Sequence, residues 1–144
     1  MKSFLICLIF FLSSFSFSFG QNPREHVYSK ERLILLKDSV TVEGIITLIH
    51  PEIDGDYHLR LKIKETNLLV KRNDTKQDGC LVLEIVCGKG CVFTACNEYK
   101  NCVPLPRLGD LVRVTGVYVF DNRHRWNEIH PVLNIYIINS IVEK

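Results

Sequence analysis

The chain has 144 residues, room for one domain, and its 18 Lys and Arg nearly balance 16 Asp and Glu for a formal net charge of +2. That balance excludes the strongly basic footprint expected of a domain that grips DNA or RNA by charge, so no strong nucleic-acid signature is present. A chain of this size can bury an ordinary core without metals or bridges.

The first twenty residues read as an export signal. Lys2 supplies a positive start, Phe4 to Leu12 is an unbroken apolar run, and Ser18-Phe19-Gly20 sets small residues ahead of a cleavage point before Gln21. The apolar run is shorter than the roughly 20 residues of a membrane span. The expected division is a signal peptide over 1–20, a lead-in segment over 21–38 and a barrel domain over 39–144. The expected location is secreted or periplasmic, with membrane contact only through the signal. Five cysteines follow the signal: Cys80, Cys87, Cys91, Cys96 and Cys102. Export makes all five disulfide candidates, and their odd number leaves at least one outside any intrachain pair.

Residues 39–50 are rich in β-branched side chains and predict a strand, with Gly44 as a bend. Pro51 to Gly55 predicts a turn. Residues 56–63 alternate Tyr57, Leu59, Leu61 and Ile63 with His58, Arg60 and Lys62, the pattern of a half-buried strand pairing back on the first. Residues 64–79 are charged and contain a formal glycosylation sequon, Asn73-Asp74-Thr75. Cys80 to Cys87 predicts the third strand, and Gly88 to Arg107 an irregular cysteine-rich excursion. Leu111 to Phe120 predicts the fourth strand, bent at Gly116. A loop over 121–128 leads to a fifth strand over His130 to Ile138. Five short strands with glycine bends predict an all-β fold: a five-stranded OB-type Greek-key barrel with a cysteine-rich loop between strands 3 and 4.

Asp54-Gly-Asp-Tyr-His58, Glu84-Ile-Val-Cys87, Gly109 to Gly116 and Trp126-Asn-Glu-Ile-His-Pro-Val132 together resemble a group of small secreted prokaryotic proteins with an OB-like fold. The resemblance implies fold and export; it carries no chemistry. Locally, Ile53-Asp54-Gly55-Asp56 ahead of an alternating strand resembles the first hairpin of the staphylococcal nuclease family. That resemblance implies calcium at Asp56, but the family's downstream R-x4-D-x2-E cluster is absent after Ile63.

The densest polar stretch is His124 to Val132, with the only tryptophan. Glu128, His130 and His124 are catalytic candidates, because a carboxylate beside an imidazole can exchange protons. Asp54, Asp56 and His58 are metal candidates, for calcium or zinc. Trp126, Arg125 and Tyr118 are ligand-binding candidates of the aromatic-plus-basic kind. No G-x-S-x-G elbow is present. The expected function is an exported binding or accessory module for an unknown ligand or envelope protein. The alternative is a metal-dependent hydrolase, of phosphodiesterase or nuclease type, joining the 54–58 turn to Glu128 and His130.

Overall fold

The structure is a computed structural model that describes residue 22, residues 24–88, residues 96 and 99, and residues 101–140. Five strands carry it: β1 Leu33–Pro51, β2 Tyr57–Ile63, β3 Leu81–Ile85, β4 Leu111–Asp121 and β5 Trp126–Asn139. They close into a ring in the order β1-β2-β3-β5-β4, with β4 returning to β1. Every pairing is antiparallel except β3 with β5, where Val82 lies opposite Glu128 and Leu83 opposite Ile129.

The long β1 makes closure possible. Its first part pairs with β4 and its last part with β2, and Gly44 and Ile45 pair with both. A side chain at Gly44 would sit 2.4 Å from the Lys62 carbonyl oxygen, so only glycine lets the two strands approach there. Gly116 has the same duty on β4, where an added Cβ would meet Ile129 Cγ2 at 2.4 Å and the Pro131 carbonyl at 2.5 Å. The register between β4 and β5 shifts on both sides of Gly116.

The predicted alternation on β2 holds: Leu59, Leu61 and Ile63 are buried and Lys62 is exposed. They join Ile46, Leu81, Leu83, Val112, Val114 and Ile129 in one core. Each such side chain contributes about 1.5–3 kcal/mol on full burial. A second apolar cluster (Val27, Leu33, Val86, Val117 and Val119) surrounds Cys87 and Cys96.

Two strand boundaries change, and the 64–79 connection gains structure that the sequence left unassigned. The strand predicted from residue 39 starts at Leu33, after a 3-10 turn over Lys30–Arg32, so the lead-in segment contributes to the ring. The last strand starts at Trp126, not His130, because residues 127–132 are buried on both faces and the polar ones pair with buried partners. The 64–79 connection holds a 3-10 turn at Thr66–Leu68 and a short helix, α1 Lys71–Lys76. The sequon falls on that helix, and Asn73 is wholly buried, donating to the Cys80 and Asn127 carbonyls, so the folded chain offers no acceptor there.

Cys87 and Cys96 form a disulfide, with Cα atoms 5.6 Å apart. Cys80 is a buried thiol beside the Thr47 hydroxyl, and Cys102 is exposed. Cys91, half of the cysteine-rich excursion and the expected signal segment over 1–20 lie outside the described residues. Among the described residues no helix is long and apolar enough to cross a membrane.

Candidate functional site

The site grows from register. In β5 residues 126, 128 and 130 share one face, as alternate positions of an extended chain must. Trp126 Nε1 donates to Glu128 Oε2 at 2.8 Å, and His130 Nδ1 pairs with Glu128 Oε1 at 2.9 Å. One buried carboxylate thus holds two rings. On the neighbouring strands β2 and β3, pairing places His58 directly opposite Glu84. His58 Nδ1 meets Glu84 Oε1 at 2.8 Å, and its Nε2 lies 3.4 Å from Gln77 Oε1. Gln77 Oε1 also accepts from Arg60 Nε at 2.7 Å, so the amide ties α1's C-terminal flank to β2.

Both imidazoles, Glu84 and Asp56 open onto one cleft of about 500 Å³, walled by His58, Arg60, Glu84, Asp56, Trp126 and His130. A carboxylate on Nδ1 fixes each ring and leaves Nε2 on its far side, toward Gln77 Oε1 in His58. His130 Nε2 is buried and has no hydrogen-bond partner among the described residues. A buried polar atom left so costs about 1–3 kcal/mol, which a ligand atom would recover.

Asp56 ends the turn after β1. Its amide donates to Asp54 Oδ1 at 3.2 Å, and its own Oδ1 accepts from the Cys87 amide at 2.7 Å. Burial pushes Asp56 up to about 7, against the pull of the Cys87 hydrogen bond; the charges of Asp54 and Glu84 add to the rise and His130 opposes it. Burial also lifts Glu84 above the usual carboxylate range, partly offset by His58. For His58 and His130, burial alone would lower the imidazole. The hydrogen bond and charge of Glu84 for His58, and of Glu128 for His130, outweigh it and raise both.

A further buried acid, Asp121, builds the rim. It pairs with Arg32 at 2.9 Å and accepts from the Arg123 and His124 amides at 2.7 and 2.9 Å, while His124 Nδ1 lies 3.0 Å away. This fixes the β4–β5 turn so that His124 stacks on Trp126, with ring centroids 4.6 Å apart. Trp126 in turn presents its ring to His58, edge-on at 6.3 Å.

Most sequence-predicted residues therefore meet. Asp54, Asp56, His58, His124, Trp126 and His130 line the cleft, and buried Glu128 supports it from beneath. Two do not. Tyr118 is in the core, its hydroxyl donating to the Leu68 carbonyl at 2.6 Å and accepting from Asn127 Nδ2 at 2.6 Å. Arg125 faces away, over the Phe120 ring at 5.8 Å, in a separate groove with Lys71, Arg72 and Lys76. Glu84, Gln77, Arg60 and Asp121 were not among the expected site residues. Glu84 alone left a trace: it is the single charge inside the apolar run Cys80 to Cys87.

Asp56, Cys87 and Cys96 place metal-type donor atoms within 4.8 Å of one another. The two sulfurs are bonded to each other, so in this state they offer no thiolate. The imidazoles of the expected Asp54–His58 and Glu128–His130 sets are committed through Nδ1 to carboxylates. No family model matches this sequence, and no curated protein matches it.

Proposed function

We propose that this chain is an exported OB-type barrel that acts as a binding module, with the imidazole–carboxylate cleft as its ligand site. The ring order, with β3 parallel to β5 between antiparallel neighbours, supports the OB-type reading. The observation that carries the binding reading is His130 Nε2, buried, unpartnered among the described residues and on the cleft wall. Glu128 on Nδ1 raises the His130 imidazole, and in its protonated form Nε2 donates to an acceptor oxygen of a ligand. Trp126 and His124 add a stacked ring face. The fitting ligand is a small polar molecule with acceptor oxygens and a flat or sugar-like face. The hydrolase alternative receives one support, the meeting of the 54–58 turn with His130 in the cleft. It is the weaker reading, because the donors there are already paired with one another.

Trp126 is the only tryptophan, so its emission reports the cleft directly. Titration with short oligonucleotides and with oligosaccharides is expected to give a saturable change for one class. His130→Gln is expected to weaken that binding about tenfold or more, the worth of a charged hydrogen bond. Silence of Trp126 toward both classes would overturn the reading.

A further inference from the structure

Behind Asp56, outside the cleft lining, lies a group that ligand binding does not use. The Asp56 carboxylate and the sulfurs of Cys87 and Cys96 lie within 4.8 Å of one another, and all three residues are buried. The Cys87 amide donates to Asp56 Oδ1 at 2.7 Å, which fixes the carboxylate beside that cysteine. Asp56 also lines the cleft, so its proton has a route to water. The cysteines themselves sit among Val27, Leu33, Val86, Val117 and Val119. A thiolate released in such apolar surroundings is poorly solvated and must be protonated as it forms. A disulfide that served only as a staple would need no acid beside it.

We propose that Cys87–Cys96 is a redox-active disulfide that exchanges with dithiols, and that Asp56 is its proton-transfer group. One thiolate of the incoming dithiol attacks Cys96 Sγ, so that the departing sulfur is Cys87, whose amide holds Asp56. An intermolecular disulfide forms and the Cys87–Cys96 bond breaks. Its electron pair leaves on Cys87 Sγ, which takes the proton of the Asp56 carboxyl. The dithiol's second thiolate then attacks its own sulfur in that intermolecular disulfide. Asp56, reprotonated from water through the cleft, gives a second proton to Cys96 Sγ as that sulfur departs, and is then reprotonated again. The chain gains two electrons and two protons, and the dithiol loses the same as it closes to a disulfide. In the reverse direction the Asp56 carboxylate accepts the Cys87 proton.

Burial holds Asp56 at about 7, so donor and acceptor forms are both populated at neutral pH. The groups facing it are Asp54 from its own turn, Glu84 from β3, His130 from β5 and the Cys87 amide. The exchange rests on the Asp56–Cys87–Cys96 geometry and not on the binding reading.

Asp56→Asn separates proton transfer from positioning, because the amide oxygen can still accept from the Cys87 amide. Reduction of the full chain by dithiothreitol, with a chelator present, is followed by mass mapping of the Cys87–Cys96 linkage between about pH 5 and pH 9. The wild-type rate per reductant thiolate is expected to inflect near 7. Asp56→Asn is expected to lose the inflection and react at least about tenfold more slowly. Equal rates with equal pH profiles would overturn the proposal. A second measurement needs no variant. The carboxyl carbon-13 titration of Asp56 in wild-type protein is expected to move its midpoint by roughly one pH unit between the oxidised and reduced chains, as coupled groups do. An unmoved midpoint overturns it equally.

Discussion

Glu128 is the residue on which the cleft's geometry depends most. It is 1% exposed, and its two oxygens serve two different rings, Trp126 through one and His130 through the other. Removing it leaves the buried His130 Nδ1 and the Trp126 indole N–H without their shared carboxylate. Breaking a buried pair from one side costs about 3–5 kcal/mol. Glu128→Ala is therefore expected to lose that much in urea unfolding, with a shift in Trp126 emission. Glu128→Gln keeps one acceptor oxygen for two donors and should lose about 1–3 kcal/mol. Replacing both partners, Glu128→Leu with His130→Phe, is expected to recover most of the stability while abolishing binding in the cleft. If Glu128→Ala unfolds at the wild-type urea concentration, the carboxylate is not the clamp described.

Between elements, Asn73 does for the ring's exterior what Gly116 does for its interior. Its Nδ2 donates to the Cys80 and Asn127 carbonyls, and its Oδ1 accepts from the Asn127 and Val70 amides. One side chain thus joins α1 to the start of β3 and the start of β5. Asn73→Ala strands several buried backbone groups and is expected to destabilise by about 3 kcal/mol or more. Mass spectrometry of protein from a glycosylating host should find Asn73 unmodified; full occupancy there would contradict its burial. Gly116→Ala drives a Cβ against the fixed Pro131 carbonyl and should cost about 1–3 kcal/mol. What the sequence made legible follows from the range of each interaction. The β2 face, the hairpin before it and the glycine bends are local, and their periodicity survives in the chain. The start of β5 is not local: Asn127, Glu128 and His130 are buried against other strands, so polarity there mimics a loop. Glu84 stood out only as a charge in an apolar run, and its role was not legible, because only the β2–β3 register gives it His58 as a partner.

For the molecule as a whole, the cluster sets how stability depends on pH. Asp56, Glu84, His58 and His130 are all raised above their ordinary values, the acids by burial and the imidazoles by their carboxylate partners against the effect of burial. A raised group binds its proton more tightly in the folded chain than in the unfolded one. The folded state then holds more protons, and stability must fall as pH rises. For Asp56 the loss runs from its ordinary 3.8 to about 7, and is on the order of 4 kcal/mol. For the imidazoles the contribution is complete below 6.5 and fades as pH climbs through their higher folded values. The chain should therefore be more stable near pH 5 than near pH 8, with a melting temperature lower by on the order of 10 °C at the higher pH. Asp56→Asn cannot ionise, so it should flatten the slope between pH 5 and 7 and leave the decline above 7 that belongs to His58 and His130. Calorimetry across that range checks both parts. A wild-type profile that is flat, or that rises toward pH 8, would mean that the folded cluster does not hold its extra protons and that Asp56 is solvated after all.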